Sequence, residues 1–438
     1  MFKIKGVWLA ALLGILASCS TNKEIPQGHR ISVLNAPQHD EFIENKKTVS
    51  LTLSKEETLN IWSQTGSNAE HLTLNISASS NAKELWSKKF GKGADKRNLL
   101  LASPVISNGV IYAQDVEGTV FAFDLSSGQK LFKQKLKPLN KSDSDSALNG
   151  TGLALDNARL YATTGFGSVF SLNLKDGNIL WRKDFNTPIR TAPTVSSNKL
   201  FIQTIDNQLF CLNTSDGSEI WSYNISSEDT VLAGTATPAY SSSKDILVAA
   251  FSNGELQAFN ASIGYPLWSN NLVSGAAVTA ASPINAIKAS PVIDSNTVYA
   301  IGNNDQMLAT NLETGDILWK KQIGGVNTPV IDKEALFLVS NNFELIALNK
   351  KTGDIFFKTP LLEDLSLKER QNIYLSGPIL INSNLLVTTS SGLVLTFDAL
   401  TGEKKAELDL GTSLPFAPIS AENAIIFTTS HSKLIVFK

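Results

Sequence analysis

The sequence predicts an all-β fold, an eight-bladed β-propeller of four-stranded antiparallel blades, closed by pairing of an N-terminal strand with the C-terminal blade. Three observations carry this. A turn signature recurs at the spacing of propeller blades. A small residue followed by proline recurs ahead of apolar runs. The last copy of the repeat lacks a strand, while a strand-like segment near the start lacks upstream partners.

The turn signature is Asp or Asn, then Gly four residues on, then an aromatic four further. It reads Asp124-Gly128-Phe132, Asn173-Gly177-Trp181, Asn213-Gly217-Trp221, Asn260-Gly264-Trp268, Asn311-Gly315-Trp319 and Asn349-Gly353-Phe357. Asp398-Gly402-Ala406 has lost the aromatic, and an incomplete first copy ends at Trp86. The glycines lie 38 to 51 residues apart, near the period of a propeller blade. Asp or Asn opens the turn by accepting backbone hydrogen bonds, and Gly supplies positive φ. The turn therefore joins the third and fourth strands of a blade. Trp86, Trp181, Trp221, Trp268 and Trp319 fall on outer strands, where they are expected to pack between blades rather than form a ligand box.

The second mark is Ser103-Pro104, Ala192-Pro193, Thr237-Pro238, Ser290-Pro291, Thr328-Pro329, Gly377-Pro378 and Ala417-Pro418, with Gly152 opening the eighth copy without proline. Proline is tolerated at a strand's first residue, where its missing N–H is not needed. These eight starts are expected to be the innermost strands, lining a central channel. The final blade is expected to have strands near 414–420, 424–429 and 433–438. Segment 83–90 then supplies its fourth, which closes the ring.

The chain has 438 residues, a net charge of −2 and two cysteines, Cys19 and Cys211. Near-neutral charge gives no reason to expect nucleic acid, which needs clustered Lys and Arg. Two cysteines cannot build a disulfide framework. Cys211 reads as a buried thiol. His29, His39, His71 and His431 show no metal-ligand spacing, and no cofactor is expected.

Lys3 and Lys5 precede an uncharged apolar run, residues 6–17, too short to span a bilayer. The run is the length of a signal-peptide core. It ends Leu16-Ala17-Ser18-Cys19, which resembles the lipobox of bacterial lipoproteins. That resemblance implies a signal peptide over 1–18 and lipidation of Cys19. Ser20 at the next position implies sorting to the outer membrane, facing the periplasm. Residues 19–47 read as a polar tether, about 30 Å end to end if flexible. Residues 48–82 read as an N-terminal extension, with a short strand expected where Val49, Leu51 and Leu53 alternate with polar residues. The propeller is expected over 83–438.

The repeat resembles the pyrroloquinoline-quinone-type propeller family. With the lipobox and eight blades it looks like the BamB family, the lipoprotein subunits of the outer-membrane β-barrel assembly machine. Arg30-Ile31-Ser32-Val33-Leu34, Trp62-Ser63-Gln64 and His71-Leu72 resemble the alphaproteobacterial branch. The resemblance implies a scaffold without catalytic activity, which binds the POTRA domains of BamA alongside the other assembly lipoproteins. It places the contacts on two long loops, 226–237 and 274–290. The matching positions are Val231, Leu232 and Ala233 in the first and Ala286, Ile287 and Lys288 in the second. Family charges are missing there: Ala233 stands for an arginine, Ala286 and Lys288 for acids. Two rival readings follow from the same fold. A quinone-dependent dehydrogenase would need Ca²⁺ ligands, and many have an adjacent cysteine pair, which this chain lacks. A chaperone-like platform would capture unfolded outer-membrane proteins by strand addition.

Overall fold

The computed structural model describes residues 51–139, 150–156, 158–225, 236–273, 286–363 and 365–438. Apolar residues alternate or run continuously between the Asn–Gly turns, and these runs form strands. Blade 1 comprises Val105–Ser107, Val110–Gln114, Thr119–Asp124 and Lys130–Lys135. Blades 2 to 7 follow over 150–184, 194–224, 239–271, 292–321, 330–360 and 375–409. Each sheet is antiparallel, and all strand order follows the chain within blades 1 to 7. Blade 8 holds Ile419–Ala421, Ala424–Thr428 and Lys433–Phe437, and Glu84–Lys89 pairs with the last of these. The ring thus closes through the N-terminal strand, with Ser87 opposite Ile435. The innermost strand of blade 8 is shorter and later than the sequence suggests, because Leu414 packs as a core residue of the preceding link.

The connectivity gives the ring two unlike faces. Within each blade the first and third hairpins lie on one face. The second hairpins and the links between blades lie on the other, here termed the link face. The expected prolines stand directly before the innermost strands of blades 1, 3, 4, 5, 6 and 8, while Pro378 lies within Leu375–Ile381 at a register shift. Middle strands are mostly buried, as in Leu200–Ile202 and Leu336–Leu338, while outer strands mostly face solvent apart from their docking aromatics. The core is a series of clusters between adjacent sheets.

Aromatic docking joins the blades. The Trp86 indole N–H donates to the Leu125 carbonyl of blade 1 at 2.8 Å. Trp181, Trp221, Trp268 and Trp319 make the same bond to Thr214, Ala261, Leu312 and Lys350 in the following blade. In each case the ring lies beneath the next blade's turn glycine. A Cβ on Gly264 would stand 2.6 Å from Trp221, at φ +71°. Phe132 and Phe357 occupy the same place under Gly177 and Gly402. Blade 7 breaks the pattern at Ala406. Its neighbour, blade 8, has no third hairpin, because its outer strand comes from the other end of the chain. An aromatic there would have no glycine turn to dock under, and the whole strand Lys404–Asp409 is exposed.

Residues 51–82 form a strap whose one two-residue strand is Ile61–Trp62; Leu51 and Leu53 lie in no strand, and Val49 lies outside the described residues. Leu51 and Leu53 pack as partly buried side chains on the blade 6–7 cluster. The Ser54 backbone and hydroxyl both donate to Asp332 at the first hairpin of blade 6. The chain then travels around the inner rim. The Leu59 carbonyl meets blade 8 at Glu422. Ile61–Trp62 pairs with Ser107 and Ile106 of blade 1. The Ser63 carbonyl accepts from Leu155 of blade 2. Gln64 grips Val195 of blade 3. The Ala69 and Glu70 carbonyls accept from Tyr240 of blade 4 and Ile293 of blade 5. Ile76 exchanges backbone bonds with Leu380 and Asn382 of blade 7. Every blade is touched, all near first hairpins, so the strap caps the mouth of the channel on the face opposite the links.

Candidate functional site

Two long links flank blade 4 on the link face. The first, after Glu219–Asn224, runs to Ala239–Ser241. Val231, Leu232 and Ala233 in it lie outside the described residues. The second runs from Pro266–Asn271 to Val292–Asp294, and its end is described from Ala286.

The three positions at that end differ sharply. Ala286 and Ile287 are buried. Ile287 packs with Ala236, Ala250 and Leu272, and its N–H donates to the Phe251 carbonyl. Ile287 therefore seats the link on blade 4, and neither side chain is free at the surface. Lys288 is exposed, yet crowding by neighbouring atoms lowers its ammonium pKa through desolvation. No ion pair reaches it among the described residues.

The bases of the two links are tied together. The Thr237 N–H donates to Ser290 Oγ at 3.0 Å, and the Ser290 N–H donates to Thr328 Oγ1 at 3.1 Å. Similar bonds continue around the mouth: Thr194 Oγ1 to the Pro238 carbonyl, Thr163 Oγ1 to Thr191, and Thr388 Oγ1 to Phe416. Small hydroxyl side chains suit this belt because they reach a neighbouring backbone without filling the channel. The described ends of the two links thus lie on a hydrogen-bonded rim.

Two further chemistry-bearing residues, Cys211 and His71, are buried. Cys211 is fully buried, and burial pushes its thiol up to about 12, which suppresses the reactive thiolate. His71 is buried within the strap, where Nδ1 lies 2.9 Å from the Pro291 carbonyl. Burial lowers its pKa to about 4. Among the described residues no three His, Cys, Asp or Glu side chains converge to hold a metal ion. Among the described residues no helix is long and apolar enough to cross a membrane.

Residues that the sequence reading did not assign are those of the strap. Trp62, Ser63, Gln64 and His71 each contact a different blade. Their signal was an indole and an amide amid polar neighbours.

Comparison with known proteins agrees with this architecture. The structure resembles BamB from Moraxella catarrhalis, with a TM-score of 0.69 at 15% identity over 82% of this chain and 99% of that one. A quinohemoprotein alcohol dehydrogenase from Comamonas testosteroni matches with a TM-score of 0.68 at 11% identity over 86% of this chain and 80% of that one, so the fold alone does not separate the two activities. In sequence, the outer membrane protein assembly factor BamB of Yersinia pestis is 28% identical over 246 residues, 56% of this chain and 62% of the relative. That of Nitrosomonas eutropha is 23% identical over 315 residues, 72% of this chain and 67% of the relative. The match thus spans less than two thirds of the Yersinia relative's length. The family model described as outer membrane protein assembly factor BamB matches residues 116–359, more than half of the chain, and the chain belongs to that family.

Proposed function

We propose that this chain is a non-enzymatic scaffold of outer-membrane protein assembly, held to the outer membrane by lipid on Cys19 and facing the periplasm. Its partner is BamA, bound through the POTRA domains, in company with the other assembly lipoproteins. The observation that carries the reading is family membership combined with the rim-tied links on either side of blade 4. Contacts come from the first link around Val231, Leu232 and Ala233, and from Lys288 at the end of the second. Ala286 and Ile287 act by fixing that end. Lys288, exposed and without an ion pair among the described residues, suits a carboxylate on the partner, the reverse of the acidic positions expected from the family. There is no chemical step. A rigid ring that fixes the orientation of flexible partner domains acts by limiting their conformational freedom.

The test is a pull-down of the full lipoprotein from gently solubilised envelopes, followed by mass spectrometry. Recovery of BamA and its companion lipoproteins supports the proposal. Their absence, while BamA remains complexed with its other partners, overturns it.

A further inference from the structure

The third hairpin of each of blades 1 to 7 projects on the strap face, and the repeat supplies its own controls. The residue before the turn glycine is Ser127, Asp176, Asp216, Thr314, Thr352 or Thr401 in six blades, and the residue after it is polar in all six. In several of them the two side chains clasp across the turn: Thr314 Oγ1 donates to Asp316 and Thr352 Oγ1 to Asp354, both at 2.7 Å. Blade 4 alone replaces the pair with Ile263 and Tyr265. They are 69% and 65% exposed, and Pro266 and Leu267 beside them are exposed as well. The turn itself is intact, since the Gly264 N–H donates to Asn260 and the Asn260 N–H to Tyr265. The apolar pair therefore serves neither the turn nor the core.

We propose that Ile263 and Tyr265 form a contact with the lipid bilayer. The proposal rests on the lipid anchorage at Cys19 given above. Two observations favour a bilayer as the occupant. Ser54, near the start of the described residues, is fixed to the first hairpin of blade 6 on this same face. If flexible, segment 19–47 would span about 30 Å and so would leave that face within reach of the membrane. Two ion pairs beside the hairpin are also closed within the protein, Lys244 with Glu313 at 2.6 Å and Lys199 with Asp245 at 3.1 Å. An aliphatic tip beside a tyrosine suits the membrane interface, where the ring's apolar body is buried and its hydroxyl stays wet. The link face then points away from the bilayer, free for a protein partner.

The test uses the full lipidated chain in vesicles of phosphatidylethanolamine and phosphatidylglycerol. An environment-sensitive fluorophore is placed at Ser262→Cys, at the equivalent Ser126→Cys of blade 1, and at Tyr374→Cys on the link face. Brominated lipids should quench the label at 262 and leave those at 126 and 374 bright. Adding Ile263→Asp and Tyr265→Asp should abolish quenching at 262 while the protein still floats with the vesicles. A label at 262 that stays bright in floating protein overturns the contact and leaves the anchor standing. Equal quenching at all three positions also overturns it. Protein that fails to float refutes the anchor instead. The contact is then read with the chain held on nickel-chelating lipid by a histidine tag in place of Cys19, where a bright label overturns it and a quenched one sustains it.

Discussion

Gln64 and Val195 exchange two hydrogen bonds across 131 residues of sequence: the side-chain amide donates to the Val195 carbonyl at 3.1 Å, and its oxygen accepts from the Val195 N–H at 2.9 Å. A glutamine side chain here completes the edge of an innermost strand as a neighbouring backbone would. Replacing it with Ala leaves a buried donor and a buried acceptor without partners. Each such loss costs about 1–3 kcal/mol. Gln64→Ala should therefore lower the urea midpoint of the full chain clearly. Gln64→Glu should be at least as harmful, because a carboxylate cannot donate to the Val195 carbonyl. An unchanged midpoint in both variants would show that the strap does not contribute to ring stability.

The blades were legible and the strap was not, for a physical reason. Asn260, Gly264 and Trp268 lie within nine residues of one another, and each states a local need: a turn opener, a positive φ and a docking ring. Strap contacts are neither local nor periodic. Ser54 meets Asp332 and Gln64 meets Val195, each through irregular backbone with left-handed residues at Ser67 and His71. Nothing in hydrophobic alternation encodes a path that spends one or two bonds on each blade. At the candidate site, Ala286 and Ile287 were legible as apolar, but that Ile287 turns inward depends on Phe251 within blade 4 and Leu272 just after it. The lost aromatic at Ala406 reads as decay of a repeat in the sequence. It follows instead from the closure, which removes the turn that would have received it.

His71 gives the strap a pH dependence. Burial lowers its pKa from 6.5 to about 4, so the unfolded chain binds the proton more readily than the folded one between those values. Stability is then full above about pH 6.5, falls as pH drops through this window, and flattens below about 4. The contribution is about 3 kcal/mol. His71→Gln keeps a donor toward Pro291 but cannot titrate. Its stability should fall less than that of the unaltered chain between pH 7 and 4.5, measured by chemical denaturation at each pH. Parallel curves would assign the acid sensitivity to carboxylates alone.

The docking pairs predict an asymmetry between two substitutions of opposite sense. Trp221→Ala empties the space under Gly264 and removes the bond to Ala261, and should cost about 3–5 kcal/mol. Gly264→Ala should also destabilise, through positive φ and collision with the ring. Ala406→Trp should leave stability within about 0.5 kcal/mol, since the outer strand of blade 7 is exposed and has no glycine turn to receive the ring. Thermal unfolding of the three variants checks this. A marked gain from Ala406→Trp would mean that the blade 7–8 seam offers a dock after all.

Interface and fold should be separable at the links. Lys288 is exposed and pairs with no acid among the described residues, so Lys288→Glu removes no internal ion pair. It should leave the unfolding midpoint nearly unchanged while weakening binding to isolated POTRA domains, because a carboxylate would then face a carboxylate. Leu232→Glu should act the same way on the first link. Ile287→Ala is the contrast. It removes a buried side chain from the cluster of Ala236, Ala250 and Leu272, and should lower both stability and affinity. Isothermal titration alongside thermal unfolding distinguishes these outcomes. If Lys288→Glu and Leu232→Glu bind as tightly as the unaltered chain, the links flanking blade 4 are not the partner surface. If only Ile287→Ala weakens binding, the loss belongs to the seating of the second link and not to a charge on it.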